Sequence, residues 1–183
     1  HLELCRKIAR RFNHRFAPKK PVFPVPTALL SEVPMIMGLD GGQKMSKSRG
    51  NAIDLKMTEK ETAKLIKRAK TDSDRNITYD PVNRPEVANL LRLLSLCSDR
   101  SPEDWADAIG DGGGGTLKVE LASHLNAYLA PIRERRRHYE ERPDLVTEVL
   151  SVGNARARAV AIETLDEVRA AMGMGYGLAS RPS

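Results

Sequence analysis

Two lysines three residues apart, Lys44 and Lys47, alternate with two hydroxyls, Ser46 and Ser48, in the run Lys44-Met45-Ser46-Lys47-Ser48. Gly41, Gly42 and Gly50 flank the run, and no apolar period crosses the stretch from Gly38 to Asn51, so it reads as a loop. The chemistry this composition suits is phosphate handling. Ammonium groups place compact charges on a polyphosphate, and hydroxyls and open backbone amides add donors. Glycines let such a loop approach a ligand and move. The residues alone leave a second reading open, an exposed basic turn.

Charge distribution bears on the choice. Residues 1–75 carry 17 Lys/Arg against 8 Asp/Glu, and residues 76–183 carry 13 against 16. The excess cation on the first part points to a phosphate-rich ligand there, although solvated helix faces would give the same asymmetry. A second basic cluster comprises Arg133, Arg135, Arg136, Arg137 and Arg142, interleaved with Glu134, Glu140 and Glu141. It could contact nucleic-acid phosphates or pair with those carboxylates on a helix surface. Trp105 reads as a core residue.

The elements on either side of the loop read mainly as helices. Leu4, Cys5, Ile8 and Phe12 recur at helical spacing, which predicts a helix over residues 2–13. Pro18, Pro21, Pro24 and Pro26 then impose an extended connector. Met35-Ile36-Met37 is a short apolar run that reads as a strand ending at Gly38. Thr58 and Glu61 form a capping box opening a helix to about Lys70, with Ala63, Ile66 and Ala69 inward. Pro85 opens another with Val87, Leu90, Leu91 and Leu94 on one face, and Ser101-Pro102 a short third. Gly112 to Gly115 read as a flexible loop. A long helix is expected from Thr116, its cap, to Glu140, with Leu117, Leu121, Leu125, Tyr128, Leu129 and Ile132 inward and a kink at Pro131. Short helical residues 145–150 and a final helix over 154–172, with Ala159, Ile162, Leu165 and Val168 as its buried stripe, complete the chain before Gly173 and a frayed tail.

With 40% hydrophobic and 30% charged residues in 183, the chain has the profile of a soluble globular protein with a sizeable core. No apolar run is long enough to span a membrane. Two cysteines, Cys5 and Cys97, give neither a disulfide scaffold nor a zinc cluster, and a reducing, cytoplasmic setting fits best. The start His1-Leu2-Glu3-Leu4 has no signal-peptide pattern and no Met, which points to a partial chain.

Lys44 to Ser48 matches the KMSKS signature of class I aminoacyl-tRNA synthetases at all five positions. The surroundings resemble bacterial-type tryptophanyl-tRNA synthetases in order and spacing: Thr71-Asp72-Ser73, Ile77-Thr78-Tyr79-Asp80, Arg84-Pro85, Asn89-Leu90-Leu91, and Pro131-Ile132 with Glu134-Arg135. His1 to Asn13 resembles the helix that follows that family's Gly-x-Asp-Gln motif, Met35-Ile36-Met37 its strand before the loop, and Ala171 to Gly173 its end. Gly38 to Gln43 departs from the family's Ser-Leu-x-Asp-Pro-Thr-Lys approach, and no His-x-Gly-His occurs anywhere.

The resemblance implies a mostly α chain: the end of a Rossmann-like class I catalytic domain (residues 1–57, with the loop), a C-terminal α-helical bundle that meets tRNA (58–175) and a flexible tail (176–183). It implies a tryptophan–tRNA ligase that forms tryptophanyl-adenylate from ATP, with Mg2+ accompanying the nucleotide, and transfers tryptophan to tRNA(Trp). Lys44 and Lys47 would be catalytic, and Ile36, Lys44, Met45, Ser46, Lys47 and Ser48 would bind ATP. Arg133, Arg136 and Arg137 would be the tRNA contacts, no metal would be held by the chain itself, and the full-length enzyme would be a homodimer. As the C-terminal half, this chain alone would not activate tryptophan. A rival reading is a non-catalytic helical module that binds tRNA or protein.

Overall fold

The computed structural model describes residues 1–31 and 33–175. Among the described residues six α-helices follow one another: α1 (Leu2–Phe16), α2 (Glu59–Lys67), α3 (Pro85–Leu96), α4 (Pro102–Ile109), α5 (Gly113–Glu140) and α6 (Pro143–Ala171). Among the described residues there is no strand, only a single antiparallel bridge between Met37 and Lys44. The strand expected at Met35-Ile36-Met37 is therefore replaced by one bridge. The segment finds its remaining partner in a side chain of α3, described below.

The described residues form two compact units, one of residues 1–31 with 142–175, the other of residues 33–141. In the second, α5 packs against α2 and α3, and α3 against α4. Local chemistry starts α2, α3 and α4. Thr58 accepts from the Glu61 amide while the Glu61 carboxylate accepts from the Thr58 amide, the expected capping box. Pro85 and Pro102 occupy first-turn positions, and the Ser101 hydroxyl accepts from the Asp104 amide. The core is Ile66, Val87, Leu90, Leu91, Leu94, Leu117 and Leu121, all essentially inaccessible, with Trp105 donating its indole N–H to Ser98 Oγ at 2.8 Å.

Three expectations about α5 change. The glycine run is not a flexible loop: Gly110–Gly112 is a 3-10 turn and Gly113 already belongs to the helix. Complete burial of Leu117 and Leu121 outweighs the conformational cost of glycine, about 1 kcal/mol each. Thr116 is consequently not the cap, and its hydroxyl instead donates to the Gly112 carbonyl at 2.8 Å. Tyr128 points outward at 55% exposure, while Leu125 and Leu129 are buried as the period predicts. The helix runs through Pro131 to Glu140.

In the other unit α1 extends three residues beyond the predicted Asn13, to Phe16. The proline-rich connector folds back on it. Asn13 accepts from the amides of Val22 and Phe23 and donates to the Phe23 carbonyl, Arg6 donates to the Pro26 carbonyl, and Phe23 meets Phe12 edge-on. The two helices expected after Pro143 are one, because Gly153 weakens a helix without stopping it. The stripe expected to be buried is not: Ile162 and Leu165 are exposed at 48% and 43%, Ala159 is exposed, and Val168 is partly covered. A helical period reports an amphipathic face, not what covers it. Gly173, with a left-handed φ, follows the end of α6 as predicted; the expected frayed tail at 176–183 lies outside the described residues.

Candidate functional site

The loop is built on a small platform. Met45 packs its side chain against the core beside Ile36, and its amide donates to the Ile36 carbonyl at 2.9 Å. The Gly38 amide donates to the Gln43 carbonyl at 2.8 Å, closing the hairpin-like approach. Lys47–Arg49 is one 3-10 turn, closed by Gly50 in the left-handed region at φ 66°. Met45 thus seats the loop, and Lys44, Lys47 and Ser48 project from it into solvent.

The end of the loop is fixed by Asn51, buried to 4% exposure. Its Oδ1 accepts from the Ser46 amide at 2.8 Å. Its Nδ2 donates to both carboxylate oxygens of Asp40, at 3.2 and 3.3 Å, and lies 3.5 Å from the Lys44 carbonyl. A Cβ on Gly38 would stand 2.1 Å from Nδ2, so the carboxamide occupies space that only glycine leaves. The Gly42 amide, and after it Asn51, holds the Asp40 carboxyl below its ordinary 3.8.

Charge on the loop is nearly uncompensated. Lys44 has no ion-pair partner among the described residues, and Lys47 meets only Asp54, at 3.5 Å, with its own side chain 81% exposed. The Lys56 amide, and then Lys47, lowers the Asp54 carboxyl. Such an exposed pair is worth little and yields readily to a better anion. Ser46 and Ser48 share a hydrogen bond at 3.0 Å between their hydroxyls. The loop therefore offers two cations and two hydroxyls on a fixed base, which suits a polyphosphate.

Away from the loop, the C-terminal third of α5 and the start of α2 line a groove of about 650 Å³ that includes Lys56, Lys60, Arg133, Arg136 and Arg137. Arg133 is half-buried and meets no carboxylate among the described residues: it donates to Asn126 Oδ1 at 3.0 Å and to Thr62 Oγ1 at 2.8 Å, and its Nε is buried without a partner there. Arg136 is paired with Glu140 at 2.6 Å, as the ion-pair reading expected for this helix. Arg137 has no such pair among the described residues. The three arginines share one groove but not one environment.

Sequence reasoning missed Asn51, Asp40 and Asn89. For Asp40 and Asn51 the signal was ambiguous, since Asn and Asp beside glycine serve equally as ordinary turn formers; Asn89, between Ala88 and Leu90 in α3, carries no local signal that its side chain holds the Met37 backbone. No group of three His, Cys, Asp or Glu side chains among the described residues is placed to hold a metal ion, and no helix among them is long and apolar enough to cross a membrane.

Comparison with known proteins bears on what the loop serves. The family model for class I tRNA synthetases (W and Y) matches residues 1–130. The tryptophan–tRNA ligase of Thermotoga maritima is 40% identical over 180 residues, covering 96% of this chain and 53% of that protein. That of Nostoc is 39% identical over 178 residues, covering 94% and 53%. The chain thus spans about half the length of the curated relatives it matches. Among solved structures, tryptophanyl-tRNA synthetase from Campylobacter jejuni in complex with ADP and tryptophan is similar with a TM-score of 0.67 and 30% identity, over 94% of this chain and 53% of that one. The Mycoplasma pneumoniae synthetase gives 0.77 and 26%, over 96% and 53%. The chain belongs to the class I tRNA synthetases of the tryptophan and tyrosine (W and Y) family, and these relatives are tryptophan–tRNA ligases.

Proposed function

We propose that this chain is the C-terminal part of a tryptophan–tRNA ligase and supplies its ATP loop and its tRNA-facing helices. The carrying observation is the loop: Lys44 and Lys47 stand exposed on a base that Met45 and Asn51 anchor. In the reaction the tryptophan carboxylate attacks the α-phosphate of ATP, and pyrophosphate leaves. Negative charge grows on the bridging oxygen and the departing phosphates. Fixed cations aimed there stabilise the transition state more than the ground state. Lys44 and Lys47 take that role on the β- and γ-phosphates. Ser46 and Ser48 add hydroxyl contacts, and Met45 holds the loop at its depth. Ile36, whose carbonyl already holds the Met45 amide, would carry the adenine contact. Mg2+ enters with the nucleotide, as part of the substrate.

In this reading residues 1–57 complete a Rossmann-like catalytic domain and residues 58–175 form the tRNA-binding helical domain. The full-length enzyme is a cytoplasmic homodimer that transfers tryptophan to tRNA(Trp). Arg133, Arg136 and Arg137 meet tRNA phosphates along the groove between α2 and α5, with Arg133 a fixed cation that no carboxylate among the described residues neutralises. The test is tryptophan-dependent exchange of pyrophosphate into ATP by the full-length enzyme, followed by charging of tRNA(Trp). Exchange with tyrosine in place of tryptophan, or none with either, would reject the reading.

A further inference from the structure

We propose that Asn51 is the positioning residue of the lysine loop and that it works through Asp40. The carboxamide lies over the peptide groups on either side of Met45, accepting from the Ser46 amide at 2.8 Å and lying 3.5 Å from the Lys44 carbonyl. Those two peptide groups set the directions in which Lys44 and the turn carrying Lys47 leave the platform. The Asn51 main chain joins in, its carbonyl accepting from the Leu39 amide at 3.1 Å.

A carboxamide can flip, exchanging donor and acceptor. Asp40 prevents this. Its carboxylate accepts only, so it selects the orientation in which Nδ2 faces it and Oδ1 faces Ser46. Asp40 is itself held by the Gly42 amide at 3.2 Å. The polar atoms of Asn51 are therefore spent inside the protein, and its 4% exposure leaves nothing for a nucleotide to touch. It acts through the lysines and does not contact substrate.

This inference rests on the proposed function, because what Asn51 positions is the phosphate-binding pair. The experiment uses the full-length synthetase with four variants: Asn51→Asp, Asn51→Ala, the exchange Asp40→Asn with Asn51→Asp, and Asp40→Asn with Asn51→Ala. Asn51→Asp sets two carboxylates against each other. It should slow single-turnover adenylate formation about 100-fold, the effect of displacing catalytic groups by about 1 Å. Tryptophan KM should change less than about twofold, since only a group lost from uniform binding moves KM alone. In the exchange variant the new carboxamide at position 40 donates to the new carboxylate at position 51, which still accepts from the Ser46 amide. It should recover at least about tenfold of the loss, the coupling that contacting residues show in a double-mutant cycle. Asn51→Ala should resemble Asn51→Asp without recovery by Asp40→Asn.

A second reading needs no activity. In the full-length protein without substrates, hydrogen exchange at the Ser46 amide should be slow in the wild type and fast in Asn51→Ala. Normal adenylate formation in Asn51→Asp, an exchange variant no faster than Asn51→Asp, or equal Ser46 exchange in wild type and Asn51→Ala would each overturn the proposal. Absence of tryptophan-dependent activity in the wild type would instead reject the function, and Ser46 exchange would then decide the positioning on its own.

Discussion

Asn89, in the second turn of α3, holds both polar groups of the Met37 backbone: its Oδ1 accepts from the Met37 amide at 3.1 Å and its Nδ2 donates to the Met37 carbonyl at 3.0 Å. One buried side chain thus does what a neighbouring strand would do. It fastens the segment leading into the lysine loop to the helical core, 52 residues away in sequence.

Removing that carboxamide leaves two backbone groups unpaired beside the core. Asn89→Ala should destabilise the chain by about 2–3 kcal/mol. Urea unfolding with the slope unchanged would show it. A loss under about 0.5 kcal/mol would mean the Met37 segment has another anchor.

What the sequence reveals depends on how local the cause is. The capping box at Thr58 and Glu61, Pro85, Ser101-Pro102 and the leucine spacing of α3 and α5 act within one or two turns, and all are legible. The lysines and hydroxyls of the loop are legible for the same reason. What holds them is not, because Asn51 to Asp40 and Asn89 to Met37 are tertiary contacts between residues that read as turn and helix formers. Met35-Ile36-Met37 has strand composition, yet composition does not show that the ladder partner is missing. The glycines before Thr116 look like a stop, and only the burial of Leu117 and Leu121 makes them a helix start. The α6 stripe shows the same limit from the other side: its period is visible, but its 43–48% exposure at Leu165 and Ile162 is not.

Acid should loosen the segment between α2 and α3. Arg84 donates to both Asp72 oxygens at 2.7 Å and also to the Asn76 carbonyl and Thr78 Oγ1. The Arg84 guanidinium holds the Asp72 carboxyl below its ordinary 3.8. A carboxyl whose folded value is lowered binds more protons when unfolded. Its contribution is complete above the unfolded value and disappears as pH falls through the folded one. Asp72→Asn should therefore lower stability at pH 7 and flatten its decline below about pH 4. Thermal unfolding across that range tests both signs, and an unchanged slope would contradict the assignment.

The arginines of α5 should differ in their effect on RNA binding. Arg137→Ala removes an unpaired cation and should weaken tRNA(Trp) binding, with the slope of log K against log salt falling by about 1. Arg136→Ala should matter less, since Glu140 already neutralises it. Arg133→Ala should cost stability as well, because it frees Thr62 Oγ1 and Asn126 Oδ1. Equal effects at all three positions would argue against a groove with distinct roles.

The 183-residue chain by itself should not catalyse tryptophan-dependent pyrophosphate exchange. Activation needs the loop cations and an amino-acid pocket held together in reactive geometry, and the chain spans about half the length of the curated relatives it matches. A rate well above background with the purified chain would overturn its assignment as a partial enzyme.

If Lys44 and Lys47 clamp the departing phosphates, single-turnover adenylate formation by full-length Lys44→Ala and Lys47→Ala enzymes will show it. Losing one preorganised donor costs about 3–4 kcal/mol at the transition state, so each variant should be slower by roughly two to three powers of ten. Tryptophan affinity should be nearly unchanged, and Lys→Arg should restore only part of the rate, because a planar fork does not replace a compact ammonium. Normal rates in both variants, or a loss confined to tryptophan affinity, would mean that the two lysines are not a phosphate clamp.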